Sequence, residues 1–451
     1  MPSFPPTSPP IAKPTLTQFS PEAESSPAAD ASAPENIPTW LPTALHAFAF
    51  RDYRRQWAGA FASSIGSWMQ QVAQAWLILE LTSSPFYLGL DAFLAMAPML
   101  GLSLVGGAIA DRVDRRKLLL ASQAVQLTSA LTLTLLVGTQ ALPGMRLVYA
   151  ILGLSLLTGM AQAMSGPAYM ALLPNLVPKS FVGQAVAGNA IQFNLARVIG
   201  PMLAGLVMAY SGATACFALN ALSFLAVMAA LATIQPPQQI SSGPSLSWRQ
   251  EILTGLRYVF GDPARRQLCL LAALTTGLGI AVPTLLPQYT KVTWQGDEVL
   301  FSRLAACSGL GAVGGAMLVA TLAKQTHSLL FIAAAQVALG LCMALLALTG
   351  WFWLACLWLF LGGALLVAAY ALVTTCFQQM ITDDMRGRAV SLYMVCFRGG
   401  MAIGGLLAGA LAHWWNVPGT FGLAGFGLTA VGLWAALEQR LAPPSDVNLQ
   451  T

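Results

Sequence analysis

Residues 106–119 read GGAIADRVDRRKLL and form a short basic loop between two long apolar stretches, at roughly 86–110 and 118–138. Gly106, Gly107 and Ala110 are small enough to let two helix ends approach each other closely. Asp111 can accept hydrogen bonds from the N-terminus of a neighbouring helix. Four bases suit an anionic membrane surface: Arg112, Arg115, Arg116 and Lys117. This spacing favours a specific structural role over the alternative, an ordinary basic loop.

The composition places the flanking stretches in a membrane. Of the 451 residues, 56% are apolar and only 9% are charged, whereas about a quarter of a soluble domain is charged. One helical span needs about 20 apolar residues. The apolar runs predict an all-α membrane protein with twelve spans, at roughly 57–79, 86–110, 118–138, 147–169, 184–209, 214–234, 266–289, 300–321, 328–348, 351–377, 388–413 and 419–437. The tightest predicted hairpin is at Ser211 and Gly212.

The spans divide into two six-helix halves, 51–234 and 266–437, joined by a polar cytoplasmic linker at 235–265. The first 50 residues have no apolar signal-peptide core and are rich in Pro, Ser, Ala and Glu, which predicts a disordered cytoplasmic tail at 1–50. A second cytoplasmic tail is predicted at 438–451.

An internal repeat relates the two halves. A shift of 204 residues sets GQAVAGNAIQFNLARVIGPMLAG, residues 183–205, on GRAVSLYMVCFRGGMAIGGLLAG, residues 387–409, and matches nine of 23 positions. Two halves in the same membrane orientation form a parallel repeat, in which one half can rock against the other about a central site.

The basic residues predict the orientation. With both termini in the cytoplasm, 17 of the 22 Lys and Arg residues lie on the cytoplasmic side and three lie outside: Arg146, Lys291 and Arg303. The positive-inside rule therefore favours this topology. It also accounts for the net charge of +5 without a nucleic-acid partner.

The loop at 106–119 resembles the signature of the major facilitator superfamily, G-x-x-x-D-R-x-x-R-[RK]. The matching residues are Gly107, Asp111, Arg112, Arg115 and Arg116. The resemblance implies a twelve-helix transporter in which this gating motif latches the cytoplasmic ends of the halves in the outward-open state. The equivalent loop of the second half, GGAMLVATLAK from Gly314, has Val319 in place of the acid, so only one complete latch is expected.

Three further segments look like the exporter branch that includes the enterobactin exporter and macrolide-efflux proteins: residues 50–90, FNLARVIGPMLAG and DDMRGRAVSLY. ARVIGPMLAG is similar to the Gly-Pro antiporter motif of span five. Gly200, Pro201 and Gly205 are expected to allow close packing and a bend there, either as ordinary helix packing or with a specific role in antiport. The basic residue that the family carries in span four is absent, because Leu156 and its surroundings are apolar.

Charges inside a membrane are costly and therefore indicate function. The candidates for proton coupling are Asp91, Arg197 and Arg398, with Glu80 at the outer interface. Asp91 and Arg197 are predicted at similar depth, and we expect Asp91 to take up and release a proton as an arginine withdraws and approaches. The alternative is a static Asp and Arg pair that holds helices together. For Glu80, a solvated carboxylate at a helix end is the favoured interpretation.

Uncharged polar residues on spans one and five are candidates to line a substrate cavity: Ser67, Trp68, Gln70, Gln71, Gln74, Asn189, Gln192 and Asn194. A few such groups orient a ligand in an apolar pocket. Hydrogen bonds between helices, worth about 1 kcal/mol each, are the alternative.

The sequence thus predicts a secondary transporter of the bacterial inner membrane, not an enzyme. It would export an amphipathic organic compound, siderophore-like or drug-like, by proton antiport. Its expected partners are that small molecule, protons and membrane lipids, and it would act as a monomer. No metal site or cofactor is predicted, because the seven cysteines form no CxxC pair. Two alternatives are proton-coupled uptake of a small solute and a membrane receptor or lipid-handling protein on the same fold.

Overall fold

The computed structural model describes residues 43–102, 113–234, 248–322, 329–382 and 385–441. The N-terminal half contains α1 (Arg51–Thr82), α2 (Pro85–Met96), α3 (Arg115–Gly138), α4 (Met145–Leu172) and α5 (Val182–Thr233). The C-terminal half contains α6 (Trp248–Phe260), α7 (Pro263–Gly279), α8 (Ala281–Trp294), α9 (Glu298–Leu322), α10 (Leu329–Ala347), α11 (Phe352–Gln379), α12 (Arg386–Trp414) and α13 (Val417–Leu441). Three short 3-10 helices lie at Thr43–Ala49, Leu173–Leu176 and Lys179–Phe181.

Ten stretches of the described residues are long and apolar enough to cross a membrane. One of these stretches, Lys179–Thr233, contains two helices in succession, and another, Pro263–Trp294, joins α7 to α8. The 32-residue α1 packs along α5 as a further long helix. The observed helices follow the predicted spans in order and, within a few residues, in position, and the second predicted span, 86–110, is described only as far as residue 102. The all-α membrane fold is therefore confirmed.

The turn within α5 lies where the sequence predicts a hairpin. Gly212 adopts φ +72° and ψ 176° and breaks the helix into two arms, a conformation that glycine adopts without the strain a side chain would add. The Cys216 thiol lies 3.9 Å from the carbonyl oxygen of Ala204, so the two arms run antiparallel. The predicted hairpin at Ser211 and Gly212 is confirmed.

We call the end of the bundle where α1, α3 and α12 begin the basic end, because Arg51, Arg115 and Arg386 lie there. We call the other end of the bundle, where α2 and α9 begin, the opposite end.

The folded part of the chain begins before Arg51, which corrects the predicted boundary of the N-terminal tail. Ala47 and Phe50 are buried, and the Phe48 ring packs edge-on against Tyr53 and Trp57. The prediction of disorder rested on polar and Pro-rich composition, which does not extend into the aromatic end of the segment. The remainder of the predicted tail, residues 1–42, lies outside the described residues.

The predicted linker at 235–265 contains a helix, α6, whose end is held against the start of α7 by side-chain contacts. Asp262 accepts hydrogen bonds from the backbone N–H groups of Ala264 and Arg265 at 2.9 and 3.0 Å and so caps α7. The Arg265 guanidinium lies 3.8 Å from the centre of the Tyr258 ring and 3.4 Å from the Asp262 carboxylate. This part of the linker is therefore an ordered element of the second half.

Repeat-related glycines occupy equivalent places in the two halves. Gly200 packs directly on Trp68 of α1, and its repeat partner Gly404 packs directly on Gly277 of α7. Because neither glycine has a Cβ, the fifth span of each half lies against the first span of the same half.

A second pair of repeat-related glycines joins the halves to each other. A Cβ at Gly205 would lie 2.5 Å from the Cβ of Ser302 on α9, and one at Gly409 would lie 2.8 Å from the Cα of Gly89 on α2. The two interfaces, α5 with α9 and α12 with α2, are therefore equivalent under the repeat.

Among the described residues, the packing between the halves is concentrated away from the basic end. At the opposite end, the Trp76 ring stacks on Phe301 with ring centres 5.9 Å apart, and Ser84 hydrogen-bonds His413 at 3.2 Å. The close approaches of α5 to α9 and of α12 to α2 extend from there to about the middle of the helices. Within the described part of the chain, neither α4 nor α11 makes extensive contact with the opposite half.

A substitution on α9 tests the packing within the second half. A Cβ at Gly311 would overlap the carbonyl oxygen of Phe360 on α11, so we expect Gly311→Ala to destabilise the protein by about 1–3 kcal/mol. On the same helix, a Cβ at Gly314 would meet its nearest atom, in the Phe360 ring, at 3.8 Å. Gly314→Ala is therefore the matched control. Thermal unfolding in detergent measures both, and equal melting temperatures would refute the close packing.

Candidate functional site

Asp91 lies on α2, half-buried, in a cluster of neutral polar side chains. The Gln74 side-chain amide of α1 donates to both carboxylate oxygens, at 2.9 and 3.0 Å. The Ser155 hydroxyl of α4 donates to one of these oxygens at 2.6 Å and accepts a hydrogen bond from Gln74 at 2.9 Å. Three helices of the N-terminal half thus hold this carboxyl, without a charged partner among the described residues.

Arg197 lies on the first arm of α5 and faces the C-terminal half. Its Cζ atom is 5.7 Å from the centre of the Trp68 ring, and a Cβ at Gly309 of α9 would touch its backbone. The side chain also borders a narrow cleft of about 20 Å³ whose other lining residues all belong to the C-terminal half. Most of these are apolar, including Val282, Leu339 and Trp358.

Arg398 lies on α12, half-buried. It precedes Gly405 and Gly409, which contact α2, by two and three helical turns and so shares their face. Its guanidinium forms no hydrogen bond or ion pair with any other described residue. Each half therefore contributes one arginine to the region between the halves.

The described structure contains no ion pair between Asp91 and Arg197, although the sequence places them at similar depth. Asp91 faces α1 and α4 of its own half, whereas Arg197 faces α9 and the cleft. The structure therefore does not contain the static pair of Asp91 and Arg197 that was the alternative interpretation of the sequence. Glu80 is exposed at the opposite end and accepts a hydrogen bond from Trp76, one turn earlier on α1, at 2.8 Å.

The candidate cavity residues do not converge on one site. Asn189 and Gln192 line a cavity of about 200 Å³ inside the N-terminal half, near the basic end. Gln70 instead accepts a hydrogen bond from Asn220 at 2.7 Å, and Asn194 bonds the backbone of its own helix. Trp68 adjoins Arg197, while Ser67 is half-buried and Gln71 is exposed.

The gating motif is only partly described. Gly107, Asp111 and Arg112 lie outside the described residues. Arg115 is half-buried at the start of α3, and the Arg116 guanidinium donates to the carbonyl oxygen of Ala232 at the end of α5. Asp114 caps α3 by accepting hydrogen bonds from the backbone N–H groups of Arg116 and Lys117, at 2.9 and 3.4 Å. An Asp directly before a helix is a sequence signal for this role.

Two further residues were not singled out from the sequence. Ser155 directly precedes Leu156, in a part of span four that reads as apolar, yet it hydrogen-bonds Asp91. Tyr370 of α11 packs edge-on against Phe397. Its buried hydroxyl has no hydrogen-bond partner among the described residues. A lone Ser or Tyr in an apolar run carries little signal by itself.

Comparison with known proteins gives the family. The model of the family described as "Transmembrane secretion effector" matches residues 42–450. The staphyloferrin A transporter of Staphylococcus aureus is 26% identical over 374 residues, covering 82% of this chain and 91% of that protein. The enterobactin exporter EntS of Salmonella typhi is 28% identical over 387 residues, covering 84% and 90%.

Solved structures with low sequence identity share the fold. The nucleoside transporter NupG superposes with a TM-score of 0.69 at 10% identity, over 86% of this chain and 99% of that one. A POT family transporter superposes with a TM-score of 0.68 at 12% identity, over 87% and 96%. The chain therefore belongs to the transmembrane secretion effector family of the major facilitator superfamily and is a multi-pass secondary transporter of the bacterial inner membrane.

Proposed function

We propose that this transporter exports an amphipathic organic anion, of the siderophore type, in exchange for protons. The observation that carries the proposal is the pair of arginines between the halves. Arg197 and Arg398 come from different halves, and neither forms an ion pair within the described residues. A ligand that both of them bind would join the two halves.

The energetics favour an anionic ligand. An unpaired charge within a membrane is costly, so arginines there normally face a cavity or a partner. A ligand carboxylate or phenolate could supply the missing charge, and the guanidinium fork binds such oxygens through two hydrogen bonds. Trp68, beside Arg197, would contact the apolar part of the same molecule.

The relatives support this substrate class. One is named for the transport of staphyloferrin A and another for the export of enterobactin. At 26% and 28% identity, the pocket side chains can differ, so we extend the class of molecule to this chain and not the particular compound.

The packing of the halves supports loading from the cytoplasm. The positive-inside rule assigns the basic end, and both termini, to the cytoplasm. The described residues of the two halves pack mainly toward the opposite end, and we infer from this that substrate enters from the basic end. Closure of that end would then involve the gating motif that begins at Gly107.

Asp91 is our candidate for the coupling proton site. Among the described residues it is the one acid that falls inside a predicted span, and it lies away from both arginines. Its neutral partners Gln74 and Ser155 can hydrogen-bond a carboxyl with or without its proton. In the same proposal, Trp68 contributes to the substrate site, whereas Asn189 and Gln192 belong to the separate cavity of the N-terminal half.

Proteoliposomes test the proposal directly. With an acidic lumen, we expect vesicles that contain the protein to accumulate labelled metal-free enterobactin or staphyloferrin A well above empty vesicles. A protonophore should abolish the gradient-driven part. Uptake driven only by the reversed pH gradient would favour proton symport, and binding without transport would favour a receptor. Either result would overturn the export proposal.

A further inference from the structure

A stripe of polar side chains runs along one face of α4. Ser155, Thr158, Gln162, Ser165 and Tyr169 recur at intervals of three or four residues, which places them on a single helical face. The stripe covers about 21 Å along the helix axis at about 1.5 Å per residue. One end touches Asp91, and the other reaches the basic end of the N-terminal half.

A shorter polar stripe on α3 faces it. The Ser122 hydroxyl donates to the Ser165 hydroxyl at 2.9 Å. The Gln126 amide donates to Ser122 at 3.4 Å and accepts from Gln162 at 3.4 Å. Ser129, one turn farther toward Asp91, is 3% exposed, and its hydroxyl has no partner among the described residues. We call the two facing stripes the polar seam.

The seam opens at the basic end into the cavity of about 200 Å³. Tyr169 lines this cavity and donates to Asn189 at 2.7 Å. Gln56 and Gln123 also line it, and the side-chain oxygen of each is buried without a hydrogen-bond partner in the described structure. At about 30 Å³ per molecule, the cavity has room for several waters, and the two free acceptors suit them.

At its other end the seam meets Asp91 through Ser155. The helices packed against α2 are α1, α4, α8 and α12. Toward the opposite end, the charged or titratable groups of these helices are Glu80, Arg146, Tyr149, Tyr289, Lys291 and His413, and Arg398 lies farther along α12 toward the basic end. None of these forms a hydrogen bond or ion pair with Asp91 in the described structure. The polar seam is therefore the row of neutral polar groups that leads from this carboxyl toward the basic end. Its hydrogen bonds join Ser155 to Asp91 and, farther along, Gln162 to Gln126 and Ser122 to Ser165. Between them, Thr158 bonds its own backbone and the Ser129 hydroxyl has no partner among the described residues.

We propose that the polar seam carries the proton between Asp91 and the basic-end cavity, separately from the substrate site at the arginines between the halves. The proposal rests on the proposed proton exchange. The proton leaves the Asp91 carboxyl, and the remaining carboxylate keeps its hydrogen bonds from Gln74 and Ser155. Along the seam each hydroxyl or water accepts one proton and donates another, so that one proton arrives in the cavity and no bond between heavier atoms changes.

The rate at which Asp91 exchanges its proton tests the seam without any substrate. After a pH jump on the full-length protein in detergent, the carboxyl band of Asp91 is followed by infrared spectroscopy and assigned by its loss in Asp91→Asn. We expect Ser129→Ala and Gln126→Leu each to slow this exchange about tenfold. The first removes the free hydroxyl that lies between Ser155 and Gln126, and the second removes hydrogen bonds worth about 1 kcal/mol each. Ser129→Thr keeps the hydroxyl and should retain the wild-type rate.

The matched control is Thr128→Val, on the same helix but outside the seam, where the threonine bonds its own backbone. It should exchange at the wild-type rate, and thermal unfolding confirms that each variant is folded. Wild-type rates in both folded seam variants would overturn the proposal, as would an Asp91 carboxyl that never titrates. If the seam variants are slow but wild-type vesicles show no proton-driven uptake, the seam stands and the export proposal fails.

Discussion

Asp91→Asn is expected to abolish substrate accumulation driven by a pH gradient, down to the level of empty vesicles, while leaving exchange of labelled for unlabelled substrate intact. The asparagine has nearly the same shape and can still hydrogen-bond Gln74 and Ser155, so the cluster should remain assembled. It cannot bind or release a proton in the physiological range. Transport coupled to protons would therefore stop, although substrate could still cross.

Two control variants separate Asp91 from the other acids. Glu80 is exposed and bonded within its own helix, so we expect Glu80→Gln to accumulate substrate nearly as the wild type does. Asp297 accepts a hydrogen bond from the backbone of Leu300 at the start of α9, and Asp297→Asn should also transport normally. Normal accumulation by Asp91→Asn would remove this residue from the coupling role.

Arg197→Gln and Arg398→Gln are each expected to weaken the binding of a siderophore anion by about 10- to 100-fold. A hydrogen bond to a charged group is worth about 1.5–3 kcal/mol, and about 1.4 kcal/mol corresponds to tenfold in Kd. Glutamine keeps a hydrogen-bond donor but loses the charge. Isothermal titration in detergent with metal-free enterobactin or staphyloferrin A measures the loss.

The matched control for these arginines is Arg303→Gln, an exposed position on α9 toward the opposite end. It should bind with the wild-type Kd. Arg197→Lys and Arg398→Lys keep the charge without the planar fork and should fall between wild type and glutamine. If both glutamine variants bind the anion as tightly as the wild type, the arginines do not form the substrate site.

Elements that depend on local pattern were predictable from the sequence. The apolar runs place the spans within a few residues, because a helix that crosses a bilayer must satisfy its own backbone and present apolar side chains. The break at Gly212 follows from a short Ser-Gly pair between two such runs. The aromatic segment at 43–50 was missed because its burial depends on Tyr53 and Trp57 of the following helix.

The site depended on partners that the sequence does not specify. Asp91 stands out as a rare charge, but its contacts with Gln74 and Ser155 come from helices 17 and 64 residues away along the chain. Gln70 and Gln74 lie one turn apart on α1, yet one meets Asn220 and the other meets Asp91. The polar residues from Ser155 to Tyr169 recur every three or four positions and so could have been recognised in the sequence. Each one alone, within an apolar run, is a weak signal.

By itself the sequence determined the membrane setting, the order of the helices and the two-fold repeat, since hydropathy and self-similarity are read along one chain. The tertiary structure decided how the repeat is used: Gly200 and Gly404 pack within their halves, whereas Gly205 and Gly409 join the halves. It also decided that Asp91 is held by neutral groups, while Arg197 and Arg398 lie between the halves. Such pairings depend on which helix faces touch, and helical spacing predicts a face without its partner.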